Sequence, residues 1–364
     1  MLIFRYLVKE VFVTLAALNT ILLLIFMSNQ LVHYLNNAAA GRMPAMIIMQ
    51  LMMLELPNLL CLLLPLGFYI ALLLSYGRLY AENEMTVLQS AGYGPTQLYK
   101  HSFIMAGIVA IAVTIIMIWG SPIIAMQRTK LLNTTGIKTM IQTIVPGNFQ
   151  SWHKGQLVFY VEKMNPKHSK AQNVFIAKHN INNNKQSWDI VWAKQAFVTT
   201  AQENAEDYAI LQQGKQYSGT PGTANYRITE FSQYKTHLPP TQTSLKHDLR
   251  TAKITDLLPF FNQDLAKAAE LQWRISIPLM VLTLTLVGIP LSRVNPRAGK
   301  YAKLLPAITL YIIYANCMFI SRDWLAEGKI PIWVGMWWLH LLVALIGLVF
   351  IWRNHRAVSG KKLL

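Results

Sequence analysis

Two carboxylates, Glu82 and Glu84, open the stretch with the most chemical content in the chain, Gly77-Arg78-Leu79-Tyr80-Ala81-Glu82-Asn83-Glu84-Met85-Thr86-Val87-Leu88-Gln89-Ser90-Ala91-Gly92-Tyr93-Gly94. Glu82, Met85, Leu88 and Gln89 recur at helical spacing, and Gly92 and Gly94 supply a stop. The chemistry such a helix offers is charge pairing and docking rather than proton transfer. Carboxylates beside an anionic headgroup layer are unfavourable unless a basic partner receives them. An interfacial helix resting on headgroups is the alternative; docking to a partner is the reading we prefer.

Other polar groups occur in smaller clusters. Glu270-Leu271-Gln272-Trp273-Arg274 places Glu270 and Arg274 one helical turn apart, where they can pair, beside an interface-type tryptophan. Gln30 and His33, followed by Asn36 and Asn37, suit either a cavity and lipid headgroup or simple solvation of a helix end. His153, His168 and His179 read as surface loop residues rather than metal ligands. Cys61 and Cys317 each sit in an apolar run and read as packed thiols. No Walker-type loop, His-Glu-x-x-His, Gly-x-Ser-x-Gly or Cys-x-x-Cys occurs. We therefore expect no catalytic residue, no cofactor, no metal and no ATP site in this chain.

The elements that must position these groups are mostly membrane helices. Of 364 residues 53% are hydrophobic and only 13% charged, about half the charged share of a soluble domain. Spans of about 20 apolar residues are expected at about Val11–Tyr34, Ile47–Tyr76, Phe103–Ile124, Ile275–Leu291, Leu304–Ile320 and Pro331–Trp352. Pro57 and Pro65 predict a kink or steep tilt in the second. The first apolar run is expected to remain as an anchor.

The net charge of +17 would suit nucleic acid if it were spread over one surface. It lies instead in short loops: Arg5, Lys9, Arg78, Lys100, Arg293, Arg297, Lys300, Lys303, Arg353, Arg356, Lys361 and Lys362 flank one set of span ends. Only Arg42, Arg322 and Lys329 flank the other. That bias predicts both termini in the cytoplasm and no nucleic-acid partner.

The segment from about 125 to 255 must then lie outside the cytoplasm, and its pattern changes to period two: Leu157, Phe159, Val161, then Trp188, Ile190, Trp192, then Tyr226, Ile228 and Phe231. Turn signals at Asn165-Pro166, Asn182-Asn183-Asn184, Gly214 and Gly219–Gly222 separate them, as in a sandwich, barrel or jelly roll. Helix resumes near Ile254, with Thr255-Asp256 as a candidate N-cap. The expected domains are 1–124, 125–255 and 256–364.

These residues resemble one family. Leu79-Tyr80-x-Glu82-x-Glu84-x-Thr86-Val87 with Ala91-Gly92 is similar to the coupling helix of the LptF/LptG permeases. Trp273-Arg274, Pro290-Leu291-Ser292, Asn295-Pro296-Arg297-x-Gly299 and the N-terminal Arg5–Glu10 match the same family, and the plan of three spans, an outer β domain and three spans covers the chain. The resemblance implies an α+β membrane protein of six transmembrane helices, with a periplasmic β-jellyroll domain between the third and fourth.

It also implies a function: a permease subunit of an ABC transporter in the inner membrane of a Gram-negative bacterium. It would take lipopolysaccharide from the outer leaflet of that membrane and hand it to a jellyroll bridge for outer membrane biogenesis. The implied partners are an LptG-like permease, two LptB-like ATPase subunits, LptC-like and LptA-like proteins, and lipopolysaccharide. Glu82, Glu84, Met85 and Leu88 would couple to the ATPase. Gln30, His33, Tyr311, Tyr314 and Ile320 would line the lipid cavity or its gates, and Leu157, Phe159, Val161, Trp188, Ile190 and Trp192 the jellyroll path. Gln30 and His33 stand where the family often has basic residues, so headgroup recognition would rest on the partner permease, on other polar contacts, or on a protonated His33. The rival readings are a lipoprotein-releasing or efflux-type permease, whose outer domain tends to follow the first span, and a membrane scaffold that transports nothing.

Overall fold

The computed structural model describes residues 2–39, 45–133, 146–152, 157–165, 170–182, 185–200, 207–220, 222, 226–237, 249–260, 263–294, 301 and 303–359. The chain forms two compact units, one of residues 1–28, 53–127 and 247–364, the other of 29–52 and 128–246. The expected residues Arg42, His153, His168, Pro166, Asn183, Asn184, Pro221, Arg297, Lys300, Lys361 and Lys362 lie outside the described residues, as does the loop 295–300.

The first unit is helical. Helix α1 (Leu2–Ala39) is followed by α2 (Ile48–Ala81), the short α3 (Glu84–Ser90), α4 (Pro95–Ile115) and α5 (Ser121–Asn133). A π-helical turn, Ile116–Gly120, joins α4 to α5 just before Pro122, which lacks the N–H needed to continue an ordinary ladder. After the β segment come α6 (Ile254–Leu257), α7 (Leu265–Leu291), α8 (Leu304–Ala326) and α9 (Trp337–Ser359). Helix α2 runs unbroken through both Pro57 and Pro65.

Five of the six expected spans fall on helices long and apolar enough to cross a bilayer: Leu2–Ala39, Ala45–Ala81, Pro95–Leu132, Leu265–Leu291 and Leu304–Ala326. The sixth falls on a shorter apolar helix, Trp337–Arg353. Helix α7 is apolar nearly all round and mostly buried, the signature of a central helix. Its Ile277 and Val281 pack with Leu7, Val11, Phe68, Leu72, Met105 and Val109. Its Met280, Leu284 and Val287 pack with Tyr69, Tyr311, Tyr314, Met318, Leu339 and Val343. Helices α1 and α8 instead leave Val13, Leu24, Ile25, Ile312, Ile313 and Ile320 exposed, a surface suited to lipid or a partner helix.

Two helix starts differ from expectation. The N-cap ahead of α7 is Asp264, whose carboxylate accepts from the N–H groups of Ala266 (3.0 Å) and Lys267 (3.3 Å). Thr255 and Asp256 belong to the separate single turn α6. The last helix begins at Trp337, because Pro331–Met336 forms turns instead.

In the second unit, Tyr34 of α1 packs on Ile48 and Leu51 of α2. The remainder is one antiparallel sheet among the described residues: β1 (Gln150–Trp152), β2 (Leu157–Met164), β3 (Lys170–Asn182), β4 (Lys185–Thr200), β5 (Asp207–Gly219) and β6 (Tyr226–His237), paired in chain order.

A crease crosses five of these strands. Pairing is regular on both sides of the row Glu162, Asn173, Lys194, Gln213, Ser232 but absent along it. Asn173 (φ 49°) and Gln213 (φ 52°) adopt the left-handed conformation there, so alternation slips by one residue. On one side of the row Phe159, Val161, Val174, Val191 and Ala193 are buried on one face, with Ala177 buried on the other; across the row Ala171 and Leu211 are buried. The slip joins these last two to the first five in one apolar face with Met164, Ala196, Phe231 and Tyr234.

Candidate functional site

Helix α3 is a seven-residue wedge whose ends are both dictated by sequence. At its start Asn83, one of the few residues that tolerates the left-handed region, sits at φ 60° and breaks α2 from α3. At its end Gly92 sits at φ 89°. Tyr93 N–H donates to Leu88 C=O (2.9 Å) and Gly92 N–H to Gln89 C=O (3.1 Å). That double bond closes a helix around a left-handed residue, where glycine escapes the Cβ penalty. Pro95 then opens α4 at its first turn.

The four carboxylate and apolar residues expected to couple divide into two pairs. Met85 is fully buried, and Leu88 packs on the same helical core. These two anchor the wedge, Met85 completely and Leu88 with part of its side chain still exposed. Glu82 is exposed and Glu84 half-buried, with Thr86 and Val87 exposed beside them. Glu82, Thr86 and Val87, with part of Glu84, thus face outward from the wedge.

A second shell of contacts fixes that surface. The Tyr6 hydroxyl of α1 donates to Glu84 Oε2 (2.7 Å), and that bond, with some burial, holds the phenol above its ordinary pKa of 10.0. Arg78 pairs with Glu10 of α1 (2.9 Å) and reaches toward Glu82 (3.9 Å). Tyr93 shares a hydrogen bond with His101 Nδ1 (2.7 Å); burial, then the charge of Lys100, lowers the His101 pKa from its ordinary 6.5. The first turns of α1 are therefore part of the site. Tyr6 and Glu10 lie within the Arg5–Glu10 stretch, but no periodicity in the sequence links them to residues more than 60 positions away.

The other expected site residues are spread widely. Tyr311 and Tyr314 point into the packing of α7, α8 and α9: Tyr314 Oη contacts Thr283 Oγ1 (3.1 Å) and His340 Nδ1 (2.5 Å). Both are buried, whereas Ile320 is exposed. His33 is exposed and Gln30 half-buried near the C-terminal end of α1. In the sheet, Leu157, Phe159 and Val161 share one face, while Trp188, Ile190 and Trp192 lie on the opposite one, since Ile176 pairs with both Phe159 and Val191. The two triplets cannot line a single surface. His179 stacks on Trp188 (4.7 Å), and no group of three or more metal-ligating side chains occurs among the described residues.

Residues 5–353 match the profile of the family described as lipopolysaccharide export system permease LptF/LptG. Over 369 aligned positions the chain is 30% identical to lipopolysaccharide export system permease protein LptF of Escherichia coli strain K12, covering 100% of this chain and 99% of that protein. The protein of the same name in Shigella flexneri matches to the same extent.

Proposed function

The chain belongs to the LptF/LptG family of lipopolysaccharide export permeases, and from that premise we propose how it works as the LptF-like half of a heterodimer with an LptG-like permease. It is a permease subunit of an ABC transporter that moves lipopolysaccharide. ATP hydrolysis resides in two separate LptB-like subunits, and α3 is the surface on which one of them pushes. The observation that supports this is the wedge itself: an anchored helix that begins at Glu84, with Glu82 exposed in the turn just before it.

In this reading six helices span the inner membrane in two sets of three, both termini are cytoplasmic, and the 125–255 segment is a periplasmic jellyroll. Lipid enters from the outer leaflet beside the first or fifth span and fills an apolar cavity shared with the partner. Movement of α3, transmitted through Tyr6 and Arg78 into α1, collapses that cavity. Sequestration is necessary because each exposed CH₂ costs about 0.8 kcal/mol in water, so a multi-chain lipid cannot travel unaided.

The apolar sheet face of Phe159, Val161, Val174, Val191 and Ala193 carries the acyl chains toward LptC-like and LptA-like jellyrolls. Photocrosslinking tests this path. A crosslinker at Val161 or Val191 is expected to capture lipopolysaccharide during ATP turnover, and one at Trp192 to capture far less. Equal capture from both faces, or capture from Trp192 alone, would overturn the assignment.

A further inference from the structure

The Glu270–Arg274 stretch is a junction at the N-terminal end of α7. Arg274 is fully buried and donates four hydrogen bonds: Nε to Glu270 Oε1 (2.9 Å), Nη1 to Ala252 C=O (2.9 Å), and Nη2 to the C=O groups of Leu249 and Arg250 (both 3.1 Å). It thereby grips the segment that follows the β domain in sequence. The other oxygen of Glu270 accepts from Arg322 Nη2 of α8 (2.6 Å). The Arg322 guanidinium lies 4.9 Å from the centre of the Trp273 ring, which itself meets Phe319 (4.8 Å). Gln272, also buried, bonds Ile332 C=O (2.7 Å) and Met336 N–H (3.0 Å), pinning the turn before α9.

The charges in this junction do not balance: one buried carboxylate faces two arginines. Arg274 alone neutralises Glu270, and its other donors are satisfied by carbonyls. Arg322 is surplus to that need. Its side chain retains 23% of its exposure, against 1% for Arg274, and Glu270 is its sole ion-pair partner among the described residues. A buried charge left without a partner is very costly, but a buried one-to-one pair is tolerable. The fold therefore survives loss of the Arg322 contact far better than loss of Arg274.

We propose that Glu270–Arg322 is a releasable latch that positions the C-terminal end of α8 against α7, with Arg274 as its fixed anchor to the 249–252 segment. Arg322 and Glu270 are positioning residues for lipid passage: α8 moves away from α7 only when this pair opens. The inference rests on the proposed function in taking α8 as a wall through which lipid passes.

The test uses the full permease–ATPase complex reconstituted in liposomes, with spin labels at the exposed Lys253 and Lys329. Arg322→Ala is expected to lengthen and broaden the label distance in the nucleotide-free complex. Lipopolysaccharide delivered per ATP should fall about tenfold, the scale of a site-to-site coupling, while ATP hydrolysis stays within about twofold. Arg322→Lys, which keeps the charge, should restore the distance and more than half of the delivery. An unchanged distance distribution in Arg322→Ala would overturn the latch, as would an equal loss of hydrolysis and delivery that Arg322→Lys fails to restore. Failure of the wild-type complex to move lipopolysaccharide would instead sink the permease reading; the distance measurement judges the latch independently of it.

Discussion

The Tyr6 hydroxyl donates a 2.7 Å hydrogen bond to Glu84, 78 residues away in sequence. It ties the first turns of α1 to the wedge helix. A hydrogen bond to a charged acceptor is worth about 1.5–3 kcal/mol when enclosed, and about 1 kcal/mol or less at this partly exposed position. Tyr6→Phe keeps the ring and removes only the bond. Lipid delivered per ATP should fall about threefold to fivefold, with assembly of the complex intact. Unchanged delivery would remove Tyr6 from the transmission path.

Gly92 holds α3 at its required angle through a left-handed φ of 89°, in open space where a methyl group meets nothing within 4 Å. The cost of Gly92→Ala is thus conformational alone, about 1–2 kcal/mol. Gly92→Asn should cost less, since asparagine visits this region more readily. Hydrogen exchange of the α3 amides is the measurement: faster in the alanine variant, intermediate in the asparagine one. Equal exchange in all three proteins would contradict the role given to the turn.

The crease in the sheet makes a prediction with an unusual sign. Gln213 pays for its left-handed backbone, φ 52°, so Gln213→Gly should relieve strain and hold or raise the stability of β5 by up to about 1 kcal/mol. Gln213→Val should lower it, because a branched side chain is worst there. Hydrogen exchange across β4–β6 in the full chain distinguishes the two. Destabilisation by glycine with tolerance of valine would show that the crease is not a left-handed device.

Uninterrupted apolar runs mark the membrane helices, and Glu82 to Gln89 at helical spacing marks the wedge. Glu270 and Arg274 at a four-residue interval foretell the pair found at 2.9 Å. The N-terminal ten residues of α7 are hidden from hydropathy because Lys267, Glu270, Gln272 and Arg274 are polar; the last three are buried and engaged by structure distant in sequence, while Lys267 pairs locally with Asp264. The two strand triplets, Leu157–Val161 and Trp188–Trp192, fall on opposite sheet faces, since period-two alternation fixes spacing within a strand but not the register between strands. Tyr311 and Tyr314 are suggested only by the resemblance, and their burial beside α7 and α9 comes from tertiary packing. Contacts such as Tyr6–Glu84 and Arg322–Glu270 depend on tertiary placement that no local pattern encodes.

In the proposed mechanism Glu84, on an anchored wedge, receives the force of ATP hydrolysis. Glu84→Lys places a cation where a basic partner surface is expected, without touching the buried anchor Met85. The decisive measurement is lipopolysaccharide delivered to an acceptor jellyroll protein per ATP hydrolysed, in liposomes holding the assembled complex. Glu84→Lys should insert and accumulate normally but deliver almost no lipid. Delivery at the wild-type ratio would contradict the mechanism.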